Sequence, residues 1–299
     1  MTGNLTLDVR PEPVVLETAR GAVEYASFGS GPAVLSLHGA MGGYDQGLLL
    51  ARTIGGPGYQ YIGPSRPGYL GTPLSRGRSP EEQADLYASL LDALGVERCG
   101  VMAVSGGGPS AIHFALRHRD RCWGLVLVST CADRLDAGPP LSFAIRKLLM
   151  RVPGMASAAR RKVLQDPESV ARRSITNQEL FDRLRRDGDA WALLVELQAS
   201  TTDRMTRRFR GTDNDVRVSR TRSYPLEEIA VPTLVVHGSA DPHVPFERNG
   251  AVFAQRVPGA KLLVLEGGEH AAIFTHRQEA QAEVAAFLAA NAHRLRSEP

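Results

Sequence analysis

Only three cysteines, Cys99, Cys122 and Cys131, occur in the 299-residue chain. An odd, widely spaced set without a C-x-x-C pair offers neither a disulfide framework nor a zinc site. Reduced, buried thiols in a cytoplasmic setting are therefore expected. No apolar run approaches the roughly 18 residues needed to cross a bilayer. The opening stretch MTGNLTLDVRPEPVV lacks a basic segment leading into an apolar one, so no secretory signal is expected. A dominant charge is missing as well: 35 Lys and Arg stand against 32 Asp and Glu. The arginines are scattered singly or in pairs, which excludes a nucleic-acid-binding arm and a polybasic membrane anchor. There is no internal repeat and no low-complexity tract.

What is present is a large apolar complement, 43% of residues, enough to bury a sizeable core. Eight short runs read as strands: 14–18, 22–28, 33–39, 59–63, 99–105, 123–130, 232–238 and 261–267. They are rich in Val, Leu and Ile, and several end in glycine, as strands buried on both faces of a parallel sheet do. The first two are separated by so few residues that they are expected to pair antiparallel. Helical patterns lie between the later runs. In SPEEQADLYASLLDALG, Ser79 is the expected N-cap, Pro80 the first helical residue and Glu82 the third residue of a capping box, with Gly95 past the end. The stretch beginning HRQEAQ is a second helix, with Val284, Phe287 and Leu288 on its apolar side. This alternation predicts an α/β fold built on an open, mostly parallel, eight-stranded sheet flanked by helices.

Residues 132–224 break the rhythm. They hold 19 Arg and Lys against 12 Asp and Glu, show helical periodicity and contain no convincing strand. The reading is a helical cap at 132–224 inserted after the sixth strand, with 1–131 and 225–299 forming the core. DAGPP and RSYPLEEIAVP are the expected hinges.

In CGVMAVSGGGPSAIHFALRH a strand turns at once into a helix at Ser105. Such a bend tolerates only very small neighbours, here Ala103 and Gly107. It presents a hydroxyl and the Gly106 N–H at a helix N-terminus, where the dipole favours negative charge. Taken alone, five residues of this kind also fit a glycine-rich turn or a phosphate cradle, although the lysine of a P-loop is absent. The run Ala103-Val104-Ser105-Gly106-Gly107 resembles the G-x-S-x-G nucleophile elbow of the α/β-hydrolase family, with alanine for the first glycine. The resemblance extends along the chain. PTLVVHGSADPHVP places Asp241 just past one strand, and KLLVLEGGEHAAIF places His270 just past the next. The order Ser105, Asp241, His270 is that of the family. It implies a nucleophile, an acid that orients the imidazole and a general base. The family's His-Gly loop after the third strand matches His38-Gly39. It implies an oxyanion hole of Ala40 and Gly106, with Met41 as the second choice. SRPGYLGTP resembles the family's loop after the fourth strand and is expected to brace the site, as is His38.

Several residues compete for these roles. Asp133 follows the sixth strand, where some members of the fold carry their acid, but Asp241 suits the acid loop better. His243 reads as a loop residue, His276 as an exposed residue at a helix start, and His113 as a packing residue. Cys131 has nothing to make it a nucleophile. Phe143, Trp191 and Phe209 either roof the site or pack within the cap. Arg207, Arg208 and Arg210 either meet an acidic substrate or form a solvated face with local pairs.

The resemblance implies hydrolysis of a carboxylic ester, on a small to medium and fairly apolar substrate, with no cofactor and no metal. A C–C bond hydrolase, a lactonase, an aminopeptidase, a perhydrolase or acyltransferase, and a slow-turnover small-molecule receptor can share the same triad. Serine rather than aspartate at the elbow argues against dehalogenase and epoxide-hydrolase chemistry. The expected partner is a small-molecule ester or related acyl substrate, with no nucleic acid and no membrane. A homodimer is compatible with the sequence.

Overall fold

A computed structural model describes residues 11–135, 147–149, 152 and 154–292. Strands β1 (Val14–Thr18), β2 (Gly21–Gly29) and β3 (Ala33–Leu37) open the chain, followed by helix α1 (Tyr44–Ile54) and β4 (Gln60–Pro64). Then come α2 (Pro80–Ala93), β5 (Cys99–Val104), α3 (Gly108–Arg117) and β6 (Cys122–Val128). Helices α4 (Met155–Gln165), α5 (Pro167–Ala171), α6 (Gln178–Arg186), α7 (Gly188–Thr202) and α8 (Phe209–Thr221) follow. The sheet resumes with β7 (Thr233–Gly238), α9 (Gly250–Arg256) and β8 (Lys261–Leu265), and the chain ends with α10 (Ala272–Thr275) and α11 (Arg277–Ala292).

All eight strands lie in one sheet in the order β1-β2-β4-β3-β5-β6-β7-β8. β2 pairs antiparallel with both β1 and β4, and every other pairing is parallel. β3, β6 and β7 are buried along their whole length, which is why their sequences are continuous apolar runs. Leu86, Leu90, Ile112, Phe114 and Phe253 from α2, α3 and α9 form one core cluster. Leu48, Leu49, Ile54, Val284, Phe287 and Leu288 from α1 and α11 form the other, so helices cover both faces.

The capping box of α2 forms as its sequence predicts: the Ser79 hydroxyl accepts from the Glu82 N–H, and the Glu82 carboxylate accepts from the Ser79 N–H. Among the described residues between β6 and β7 no strand occurs. The DAGPP stretch lies outside the described residues. RSYPLEEIAVP is no loose tether: Tyr224, Leu226, Ile229 and Val231 are buried in the α2/α3 core. Among the described residues no helix is long and apolar enough to cross a membrane.

The strand order places the site. β3 has β4 on one side and β5 on the other, so the loops leaving β3 and β5 diverge above neighbouring strand ends. This is the switch point at which open α/β sheets form their crevice.

Candidate active site

The turn after β5 holds Ser105 at φ 51°. A non-glycine residue stays in that left-handed region only when its surroundings fix it, and functional groups collect at such points. Here the Thr130 hydroxyl donates to the Ser105 carbonyl at 2.6 Å, and α3 begins three residues later. The glycines of the motif are required by close approach. A Cβ on Gly107 would lie 2.7 Å from the His38 carbonyl oxygen, and one on Gly108 would lie 1.9 Å from Thr130 Oγ1. The turn is thus wedged between the ends of β3 and β6, and only hydrogen fits on either side.

Asp241 lies past the end of β7 and is 4% exposed. Its Oδ1 accepts the N–H groups of His243 at 2.9 Å and Val244 at 3.0 Å. Its Oδ2 lies 2.7 Å from His270 Nδ1. Burial works to raise the carboxyl pKa, but the hydrogen bond and charge of His270 and the two N–H donors outweigh it, so it sits below the ordinary carboxylate value. His270 follows β8, and its Nε2 lies 3.1 Å from Ser105 Oγ. One imidazole therefore bridges the serine and the buried carboxylate. With its proton on Nδ1 facing Asp241, its Nε2 lone pair can accept the serine proton, which is the arrangement that makes a hydroxyl nucleophilic.

The loop after β3 passes directly beside the serine: a Cβ on Gly39 would lie 3.2 Å from Ser105 Cβ. The Ala40 nitrogen is 3.3 Å from the Cβ position of Gly106, so the loop after β3 meets the turn at this residue. The Met41 N–H instead donates to Thr212 Oγ1 at 3.0 Å. His38 braces the loop. Its Nδ1 is 2.7 Å from the Gly39 carbonyl oxygen, and its Nε2 accepts the Arg66 N–H at 3.0 Å. Burial, reinforced by the charge of Arg66, lowers its pKa well below the usual value, so the ring stays neutral. The SRPGYLGTP loop supplies Arg66 and Tyr69 to this brace.

The competitors lie elsewhere. Asp133 is exposed, and its carboxylate accepts the Arg134 N–H at 2.7 Å. His243 is exposed, yet its ring packs edge-on against His270 at 5.4 Å between centroids. The expectation for His276 needs correction: it is buried, with Nε2 3.1 Å from the Glu266 carbonyl oxygen, because a one-turn helix folds it back under the β8 loop. His113 is half-buried, 3.6 Å from Glu81. Burial pushes the Cys131 thiol up to about 11, away from nucleophilic use. Arg208 is fully buried and pairs with Asp45 at 2.7 Å, whereas Arg207 and Arg210 are exposed beside a groove of about 730 Å³ whose lining does not include the triad. Phe143 lies outside the described residues. Trp191 packs on Phe181 and Arg185, and Phe209 is buried with Met41 and Met205.

Three residues at the site escape sequence reasoning. His237 is fully buried in β7 with Nε2 3.8 Å from Asp241 Oδ2; only its four-residue spacing from Asp241 hints at this. Thr212 and Asp215 reach the site from α8, about 110 residues after the serine, and no local pattern marks them.

Residues 32–277 match the model of the α/β-hydrolase fold. A solved α/β-hydrolase fold protein from Nakamurella multipartita is 34% identical, covers 94% of this chain and all of its own, and superposes with a TM-score of 0.75. A hydrolase of Pseudomonas putida named for 2-hydroxy-6-oxononadienedioate and 2-hydroxy-6-oxononatrienedioate is 26% identical over 279 residues, 89% of this chain and 91% of its own. The uncharacterized hydrolase YcgS of Bacillus subtilis is 33% identical over 133 residues, 44% of this chain, and this chain spans less than half of that relative, 46%. The elbow-like turn, the bridging imidazole and the extent of these matches agree: the chain belongs to the α/β-hydrolase fold family and stands among its hydrolases.

Proposed function

We propose that the chain is a serine hydrolase that cleaves carboxylic esters through an acyl-enzyme. The observation that carries this reading is the single imidazole of His270, within hydrogen-bond reach of both Ser105 Oγ at 3.1 Å and Asp241 Oδ2 at 2.7 Å. Ser105 Oγ attacks the ester carbonyl carbon while His270 Nε2 takes its proton. The carbonyl oxygen gains the negative charge and is held by the N–H groups of Ala40 and Gly106. The tetrahedral adduct collapses as the C–O bond to the alcohol breaks, and His270 Nε2–H protonates the departing alkoxide. Water then repeats the sequence on the acyl-serine, restoring the hydroxyl and releasing the acid. Asp241 keeps the Nδ1–H tautomer and balances the transient imidazolium. No step calls on a metal or organic cofactor.

Residues 132–224 form the cap of this reading, and the rest forms the core. Contacts from α8 to the loops after β3 and β4 support it. Hydrolysis of a C–C bond is the second reading, favoured by the similarity to the Pseudomonas putida hydrolase over 89% of this chain.

The two are separated by a panel of p-nitrophenyl esters of graded acyl length run beside a 2-hydroxy-6-oxo-dienoate. Ester turnover with a length preference and a poor dienoate rate is the expected result. A larger kcat/KM for the dienoate would replace the ester reading with C–C cleavage. No turnover of either would favour a receptor.

A further inference from the structure

Helix α8 meets the site at a point the triad does not explain. The peptide unit between Gly39 and Ala40 carries the Gly39 carbonyl at one end and the Ala40 N–H at the other. The unit is planar and trans, so whatever anchors the carbonyl aims the N–H. The Gly39 carbonyl accepts from His38 Nδ1 at 2.7 Å and from Arg66 Nη2 at 3.3 Å. Arg66 also donates from Nε to the His38 carbonyl at 2.8 Å. Arg66 is itself held from α8: Nη1 donates to Asp215 Oδ1 at 2.9 Å and Nη2 to Asp215 Oδ2 at 2.5 Å, while the Tyr69 hydroxyl also donates to Oδ2.

The next peptide unit is anchored from the same helix, because Thr212 Oγ1 takes the Met41 N–H. Met41 sits at φ 59°, a conformation that must be imposed on it. Its carbonyl accepts from Gln46 Nε2 at 3.3 Å and Arg208 Nη1 at 3.5 Å, and its side chain is buried against Met205 and Phe209. Thr212 and Asp215 are three residues apart and therefore share one face of α8.

Stability alone is a poor reason for this network. The Arg66 side chain is 1% exposed and that of Asp215 10%, and a buried ion pair gains little over apolar packing. Charge points the same way. Asp215 Oδ2 lies 2.8 Å from the Cβ position of Gly106, next to the second N–H donor. A bare carboxylate there would oppose an oxyanion, and the two-pronged Arg66 contact neutralises it.

We propose that Thr212 and Asp215 are positioning residues of the oxyanion hole, through which α8 aims the Ala40 N–H. The proposal rests on the reading of Ser105 as nucleophile with Ala40 and Gly106 as oxyanion donors. It gives helix α8 a positioning role at the catalytic site.

The test uses the full chain, p-nitrophenyl acetate, and a trifluoromethyl ketone whose serine adduct places an oxyanion in the hole. Acyl-adduct formation at Ser105 of the wild type is measured first; its absence would remove the underlying reading rather than this one. Thr212→Val, nearly isosteric, leaves the Met41 N–H without its acceptor. Losing an oxyanion donor outright costs about 10²–10³-fold in kcat, so a misaimed one is expected to cost about 10-fold or more. KM should stay within about 2-fold, ketone affinity should fall by the same factor as kcat, and Thr212→Ser should recover most of both. Asp215→Asn should show the same split and decides the matter if the valine variant does not fold. Folded variants that keep kcat and ketone affinity within about 2-fold of wild type, or that raise KM at constant kcat, would overturn the proposal.

Discussion

Replacing Asp241 by asparagine tests the alignment of the site through one atom. Asp241 Oδ1 faces two N–H donors, those of His243 and Val244. An asparagine at this position must turn its carbonyl oxygen toward them, because an NH₂ group there would meet two donors and leave both unpaired. The NH₂ then faces His270 Nδ1, which is 2.7 Å from Oδ2 in the wild type. Only a lone pair on Nδ1 can accept it, so the imidazole proton moves to Nε2. That nitrogen, 3.1 Å from Ser105 Oγ, then carries a hydrogen and can no longer take the serine proton. Holding the wrong tautomer costs about 10⁴-fold in kcat in serine proteases, or about 5.4 kcal/mol of activation free energy. The assay is steady-state hydrolysis of p-nitrophenyl acetate, with thermal melting to confirm the folded fraction. Asp133→Asn serves as the control and should change kcat little, since Asp133 is exposed and its carboxylate accepts its neighbour's N–H. An Asp241→Asn rate within about 10-fold of wild type, or an equal loss in the Asp133 variant, would refute the tautomer argument.

Gly108→Ala should destabilise the fold by about 3 kcal/mol, because its Cβ would lie 1.9 Å from Thr130 Oγ1. Gly188→Ala, where nothing lies within 4 Å, should be neutral or slightly stabilising in the same urea titration. Gly106→Ala should lower both kcat and stability, since its methyl group would lie 3.3 Å from the Ala40 nitrogen and 2.8 Å from Asp215 Oδ2, which Arg66 and Tyr69 hold in place. A variant with wild-type rate and melting curve would argue against that. The folded-state pKa of Asp241 lies below the ordinary value, so folded protein binds fewer protons there than unfolded protein. The resulting stability is complete above the unfolded value of about 3.9 and is lost as pH falls through the folded one. The advantage of wild type over Asp241→Asn in denaturant titrations should therefore shrink as pH falls below about 4.

The eight strands and the convergence of Ser105, Asp241 and His270 were legible because each depends on local pattern. A strand buried on both faces reads as an unbroken apolar run; Ser105 and Asp241 sit just past two such runs, β5 and β7, and His270 past the apolar run of the partly exposed β8. That the Met41 N–H is engaged was not legible, since its acceptor Thr212 lies far away in the chain. The burial of His276 escaped for a related reason. A helix start reads as exposed, and only the fold of the β8 loop over a one-turn helix hides it. Arg208 read as surface charge alongside Arg207 and Arg210. Which of three neighbouring arginines points inward depends on where Asp45 stands. Asp215 carries no local signal, because its partner Arg66 lies on another loop of the sheet.

The claim on which the rest depends is that Ser105 carries the acyl group. Rapid quenching of the protein with a p-nitrophenyl ester, followed by peptide mapping in a mass spectrometer, tests it most directly. A single acyl adduct on the peptide containing Ser105 is expected. It should be absent from Ser105→Ala, whose kcat should fall by roughly 10³-fold or more while its melting curve is nearly unchanged. An adduct on another residue, or a Ser105→Ala protein that still turns over, would contradict the account.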